Sequence, residues 1–201
     1  MKSPLRVGVF AGSFNPIHVG HLALANWMAE FGDMDEVRFV VSPHNPLKEE
    51  EILVDGQQRL GWVRSATADY PKISVSDVEF HLPRPSYTLR TFEELSQSEP
   101  DKQFSLLIGS DNWEVFDQWK DYYEFLVRYP VVIFPRPGYP LSSIDGRFPQ
   151  PSKARLRTVS APQFDISSSF IRESIRQGKD VRYFLPEGIR HSVFQAFTGQ
   201  K

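Results

Sequence analysis

The sequence predicts an α/β protein: a doubly wound, mainly parallel sheet with helices on both faces and a small helical part at the C-terminus. Two observations predict it. Residues 7–10, 37–41, 104–108 and 129–134 are short apolar runs with the length and character of strands buried on both faces. Segments with helical spacing separate these runs, and strands that alternate with helices feed right-handed crossovers into a parallel sheet. Such sheets bind ligands at the carboxyl ends of their strands, where the strand order reverses. The segments after Phe10, Val41 and Ile108 are therefore the places to search.

The elements follow in order. The first run ends in Ala11-Gly12-Ser13, a strand passing into a glycine turn. Leu22, Ala25, Trp27 and Met28 mark a helix over residues 21–31. A second strand over 37–41 leads into a polar loop, 42–54. Asp55 caps a helix that runs to about Thr67, with Leu60, Val63 and Ala66 inward. Residues 73–80 supply one or two short strands, and 88–95 a helix. The third strand ends at Gly109. The fourth precedes a loop, 135–151, that holds five prolines and leads to the basic residues Lys153, Arg155 and Arg157. A solvated connector is its expected role. A short strand at 158–159, a helix over 167–177 and a last helix from near Pro186 to about Phe197 complete the chain. One domain is expected over residues 1–201, with a helical subregion from about residue 166.

Composition excludes several classes. A chain of 201 residues with 40% apolar and 24% charged residues is that of a globular protein. A net charge of -2 is not that of a nucleic-acid coat, although it permits a local basic pocket. The absence of cysteine removes disulfides, thiol nucleophiles and cysteine zinc sites, and fits a cytoplasmic protein. No apolar run nears the ~18–20 residues of a membrane span, and the N-terminus lacks the apolar core of a signal peptide. Neither nucleic acid nor membrane is an expected partner; a homo-oligomer is compatible with the sequence.

One segment concentrates chemistry. Gly12, Ser13, Phe14, Asn15, Pro16, Ile17, His18, Val19, Gly20 and His21 lie between the first strand and the first helix. Glycine lets backbone approach a ligand closely, and a helix N-terminus offers free N–H groups and a partial positive charge to a phosphate. His18 and His21, three residues apart, can face one ligand from the first turn, and Gly20 keeps a side chain out of the way. The segment is not a P-loop, since no Gly-Lys-Ser/Thr follows, and it lacks the dinucleotide glycine spacing. A zinc pair would want a third ligand, and none is evident. A phosphate site is the expectation, against the plainer alternative of structural histidines.

The His18-Val19-Gly20-His21 pattern closely resembles the HxGH signature of the α/β-phosphodiesterase nucleotidyltransferases, relatives of the class I tRNA synthetases. Four further segments narrow the resemblance. Pro43 to Lys48 resembles the lysine-bearing loop of these enzymes, and Ile166-Ser167-Ser168-Ser169-Phe170-Ile171-Arg172 resembles their second signature; Ser86-Tyr87-Thr88 with Thr91, and Leu107-Ile108-Gly109-Ser110-Asp111 with Trp119 downstream, resemble segments of the bacterial nicotinate-nucleotide adenylyltransferases. The matches occur in family order from Val7 to about Leu185. Three departures stand out: Ala11 replaces a frequent glycine, the Lys48 loop is looser than usual, and Lys120 follows Trp119 where an aromatic is common.

The resemblance implies a Rossmann-like nucleotidyltransferase fold and transfer of the adenylyl group of ATP to nicotinate mononucleotide, in NAD biosynthesis. It implies catalytic roles on the phosphates for His18, His21, Lys48 and Arg172. It implies ATP binding by Gly12, Ser13, Phe14, Asn15, Gly20, Gly109, Asp111, Ile166, Ser168 and Ser169, and acceptor binding by Thr88 and Trp119. His44 is a weaker polar candidate beside ATP. Mg²⁺ is expected as cofactor, carried mainly on the ATP phosphates, with no protein metal ligand. Plainer alternatives exist for each: helix capping for Ser168, Ser169 and Asp111, a surface salt bridge for Arg172, a solvated lysine for Lys48, core packing for Trp119. Rival functions are a sister adenylyltransferase for nicotinamide mononucleotide or phosphopantetheine, a nucleotide sensor without catalysis, and a synthetase fragment that binds tRNA.

Overall fold

The computed structural model describes residues 3–43, 53–144, 149–151 and 154–198. Six strands form one sheet in the order β3-β2-β1-β4-β5-β6. They are β1 (Leu5–Gly12), β2 (Glu36–Val41), β3 (Ile73–Ser76), β4 (Lys102–Gly109), β5 (Val131–Phe134) and β6 (Leu156–Thr158). All neighbouring pairs are parallel. From β1 the chain builds outward through β2 to β3, then returns to β4 on the other side and continues to β6. The reversal lies between β1 and β4, and it opens a crevice at their carboxyl ends, at Gly12 and Gly109.

Helices cover both faces. The first layer holds α1 (Val19–Phe31), α2 (Gly56–Thr67), α6 (Ser168–Arg176) and α7 (Arg190–Phe197); the second holds α3 (Thr88–Ser98), α4 (Ser110–Trp113) and α5 (Tyr122–Arg128). Strand alternation divides the central residues between the layers. Leu107 and Val132 enter the first core with Met28, Val63 and Ile171; Leu106, Ile108, Val131 and Ile133 enter the second with Phe92, Trp113 and Phe125. The C-terminal helices join the first layer: Trp62 of α2 donates its indole N–H to Ser192 Oγ at 2.9 Å, and its ring meets Phe197. No helix among the described residues is long and apolar enough to cross a membrane.

The observed elements correct several expectations. Residues 73–80 give one strand, and a 3₁₀ turn, Val78–Phe80, takes the place of a second. The late strand sits at Leu156–Thr158, earlier than expected, because β5 pairs with that register. The 135–151 loop contains a 3₁₀ turn at Leu141–Ser143. The last helix begins at Arg190 after a separate 3₁₀ turn, Glu187–Ile189. Helix α5 was not expected; it starts after Asp121, whose φ of 57° lies in the left-handed region.

Arg59 of α2 is 1% exposed and spends its guanidinium on backbone. Nε donates to Val54 O at 2.7 Å, Nη1 to Ser13 O and to Ser42 O at 2.8 Å, and Nη2 to Pro43 O at 2.8 Å. One side chain thereby joins the loop after β1, the end of β2 and the approach to its own helix. Burial of the charge holds its pKa below the ordinary arginine value. Arg59→Met removes the partner of these carbonyls; the two in buried bonds, Ser13 O and Val54 O, are left unpaired at a cost of about 1–3 kcal/mol each, while water can reach those of Ser42 and Pro43. A loss of about 3–5 kcal/mol in urea-unfolding free energy is the expected result.

Candidate active site

A cavity of about 300 Å³ occupies the crevice at the carboxyl ends of β1 and β4. The loop after β1 supplies Gly12, Ser13, Phe14 and Asn15; the start of α1 supplies His18, Gly20 and His21. Gly109, Asp111 and Trp119 line it from the β4 side, and Ile166, Ser168, Ser169 and Arg172 from the α6 side. Thr88 is half-buried at the start of α3 and is not part of the cavity lining. Lys48 and His44 lie outside the described residues.

The histidines are ordered by the helix start. His18 is the N-cap of α1, with extended backbone, so α1 begins before the expected residue 21. The His18 backbone N–H donates to His21 Nδ1 at 3.3 Å. With Nδ1 accepting, the proton of a neutral His21 ring sits on Nε2, whose edge is then a donor. The two rings stack, 3.7 Å between centroids and 27° between planes. His18 is 4% exposed, and its Nδ1 is buried without a hydrogen-bond partner. Burial, and secondarily the charge of Arg136, push its pKa down from 6.5 to about 3.

Gly20 lines the cavity, and its missing side chain also spares protein atoms. A Cβ there would come within 3.1 Å of His18 Nδ1 and 3.3 Å of Phe164 Cβ. The missing side chain makes room for protein atoms rather than for ligand alone. Gly109 is tighter still: a Cβ would lie 2.2 Å from Asp111 Oδ1 and 2.7 Å from Arg136 Cγ.

Helix α6 closes the opposite side. Its cap is Ser167, whose Oγ accepts from the Phe170 N–H at 3.1 Å. Capping therefore falls to Ser167, and Ser168 and Ser169 act elsewhere. Ser168 Oγ donates to Pro16 O at 2.9 Å. Arg172 is buried; it donates to Asn15 O at 2.9 Å and to Ser169 Oγ at 3.2 Å. The loop after β1 is thus tied to α6 as well as to Arg59. Asn15 Oδ1 accepts from the Val54 N–H at 3.2 Å, which adds a third tie.

Sequence reasoning missed Arg136. It follows β5 and lines the cavity, its Nε 3.8 Å from Asp111 Oδ2. Its backbone N–H donates to Ser110 Oγ at 2.9 Å. The available signal was its place, directly after a buried strand in a sheet that binds ligands at strand ends; the surrounding prolines pointed to a connector instead. Asp111 and Trp119 line the cavity, and among the described residues the buried atoms Asp111 Oδ1 and Trp119 Nε1 have no hydrogen-bond partner. Trp119 stands beside Phe116, centroids 4.9 Å apart. Among the described residues no three His, Cys, Asp or Glu side chains gather as metal ligands.

Two helix N-termini, two stacked histidines, the buried Arg172 and the half-buried Arg136 meet at the switch-point crevice of an α/β fold, an arrangement suited to phosphate groups. The cytidylyltransferase-like family matches residues 9–174, and the chain belongs to that family. A Bacteroides fragilis protein named "probable nicotinate-nucleotide adenylyltransferase" is 46% identical over 190 residues, 94% of this chain and 92% of its own length. A Bacteroides thetaiotaomicron protein of the same name is 46% identical over 98% of this chain and 96% of its own length. The fold resembles that of Plasmodium falciparum nicotinic acid mononucleotide adenylyltransferase complexed with NaAD, with a TM-score of 0.78, 18% identity and 96% coverage of both chains.

The His18 pKa carries a sign for stability. Below pH 6.5 the unfolded chain takes up a proton that folded His18 refuses, so this contribution is full above 6.5 and drains away as pH falls toward 3. Between pH 7 and pH 5 it amounts to about 2 kcal/mol. Urea unfolding of wild type and His18→Gln at both pH values should show the variant losing that much less.

Proposed function

We infer that the protein transfers the adenylyl group of ATP to nicotinate mononucleotide, giving nicotinate adenine dinucleotide and pyrophosphate. The carrying observation is the convergence of the α1 and α6 N-termini on one crevice with His21 presenting an Nε2–H donor. The relatives' shared name supplies the substrate pair.

The acceptor's phosphate oxygen attacks the α-phosphorus of ATP. One P–O bond forms, the bond to the bridging oxygen breaks, and pyrophosphate leaves with that electron pair. A phosphate monoester has its second pKa near ~6, so the nucleophile is already anionic at neutral pH and needs no general base. Catalysis then rests on positioning and on stabilising charge in transit.

The residues divide this work. His21 Nε2–H and the N–H groups at the α1 start hold the α-phosphate. His18, kept neutral, braces the His21 ring by stacking and adds no charge of its own. Ser168, Ser169 and the α6 N-terminus receive the departing pyrophosphate. Arg136 adds a positive charge that a carboxylate 3.8 Å away partly balances. Arg172 acts through the loop backbone it holds. Asp111 accepts from ribose hydroxyls. Trp119 stacks on the pyridine ring, a contact worth roughly 1–3 kcal/mol; Thr88, at the α3 start outside the cavity lining, contributes through the edge it forms with Ser86 and Tyr87. Mg²⁺, when bound with ATP, would supply charge screening on its phosphates. Among the described residues Asp111 is the one carboxylate that lines the cavity, which fits a cation held mainly by substrate oxygens and water.

Pyrophosphate release with ATP and Mg²⁺ tests this reading, with nicotinate mononucleotide, nicotinamide mononucleotide and phosphopantetheine compared as acceptors. A kcat/KM at least tenfold higher for nicotinate mononucleotide, about 1.4 kcal/mol in transition-state binding, is the expected result. Preference for another acceptor would overturn the substrate assignment, and binding of ATP without turnover would point to a sensor.

A further inference from the structure

Glu79 is a buried carboxyl group that the mechanism above does not use. It lies in the 3₁₀ turn after β3 and is 5% exposed. Among the described residues it has no cationic partner. Its two oxygens each accept one hydroxyl: Oε2 from Ser86 Oγ and Oε1 from Thr91 Oγ1, both at 3.0 Å. Burying a carboxyl group against two neutral donors contributes little net stability, and an apolar side chain would pack there at lower cost. What it supplies is direction.

The two hydroxyls bracket Tyr87 and Thr88. Ser86 precedes them, and Thr91 lies in the first turn of α3, where its N–H donates to Tyr87 O at 3.1 Å. Glu79 therefore grips the entry to α3 on both sides. The Tyr87 ring in turn lies under Lys120, with Nζ 4.6 Å from its centroid. Lys120 adjoins Trp119, which lines the cavity. A continuous chain of contacts runs from Glu79 through Ser86 and Tyr87 to the segment that carries Trp119.

We propose that Glu79 is a positioning residue for the acceptor half of the site: it fixes Ser86 to Thr88 against the Trp119 segment so that the pyridine ring meets a preformed edge. The proposal rests on the acceptor reading given above. Glu79 touches no substrate and acts through Ser86 and Thr91.

Glu79→Gln tests it with little change in volume. The amide brings N–H donors to one oxygen position, so the hydroxyl facing it no longer donates to residue 79; the Thr91 hydroxyl, 3.3 Å from Tyr87 O, turns to that carbonyl, and the two-sided grip on the entry to α3 is reduced to one accepted bond. In steady-state kinetics the KM for nicotinate mononucleotide should rise about fivefold or more, while the KM for ATP stays within about twofold. Ser86→Ala, which removes one of the two bonds, should shift the same KM in the same direction by less, and it carries the test if Glu79→Gln fails to fold. A general loss of structure would move both KM values together. Equal changes in both, or none in a folded variant, would overturn the proposal while leaving the function intact. A wild-type protein inactive with nicotinate mononucleotide would overturn the acceptor reading, and this proposal with it.

Discussion

Two buried guanidinium groups hold the loop after β1, and the rest of the site depends on that grip. Arg59 reaches it from α2 and takes Ser13 O; Arg172 reaches it from α6 and takes Asn15 O. Between those two carbonyls sits Phe14, a bulky residue at φ 47°, a conformation that costs of order 1–3 kcal/mol and survives only where its surroundings over-determine it. The surroundings do so. The Phe14 ring packs edge-on against Phe10, Phe39 and His21. A trans peptide points its C=O and N–H in opposite directions. Fixing Ser13 O against Arg59 therefore also fixes the direction of the Phe14 N–H. The same arginine holds Ser42 O, Pro43 O and Val54 O, so the β1 and β2 ends of the crevice move as one piece.

On that frame, charge is distributed unevenly and to a purpose. His18 is kept neutral because it is buried and because Arg136 is near. A charged pair of stacked histidines would repel each other; one neutral ring removes that cost and leaves His21 oriented by the His18 N–H. The positive character of the crevice then comes from helix ends and arginines, whose charge does not change across the working pH range. Asp111, beside Arg136, keeps the second half of the cavity polar without filling it.

Much of this was legible in the sequence because the informative residues are local. Buried parallel strands announce themselves as apolar runs, and His18 to His21 and Ser167 to Arg172 carry their geometry in their spacing. His18, Gly20, His21, Ser168, Ser169 and Arg172, named from those two segments, all line the cavity. What was hidden depends on contacts between distant residues. Arg59 reads as an ordinary helix residue until three segments fold around its tip. Glu79 gains its partners only when α3 docks beside the turn after β3. Arg136 hid in a proline-rich stretch whose composition suggested a connector. Thr88, predicted from the Ser86-Tyr87-Thr88 segment, sits outside the cavity lining, and Trp119 alone represents the acceptor side there. Helix α5 begins at a left-handed Asp121 for which no local signal stands out.

Adenylyl transfer in this crevice requires the phosphates to lie between the N-termini of α1 and α6, within reach of His21. A crystal structure with a non-hydrolysable ATP analogue and Mg²⁺ tests that placement. The α-phosphate should sit at hydrogen-bonding distance from His21 Nε2, with the outer phosphates toward Ser168 and Ser169. A triphosphate seated away from His21, for instance in the open cleft between Gly138 and Gln163, would contradict it.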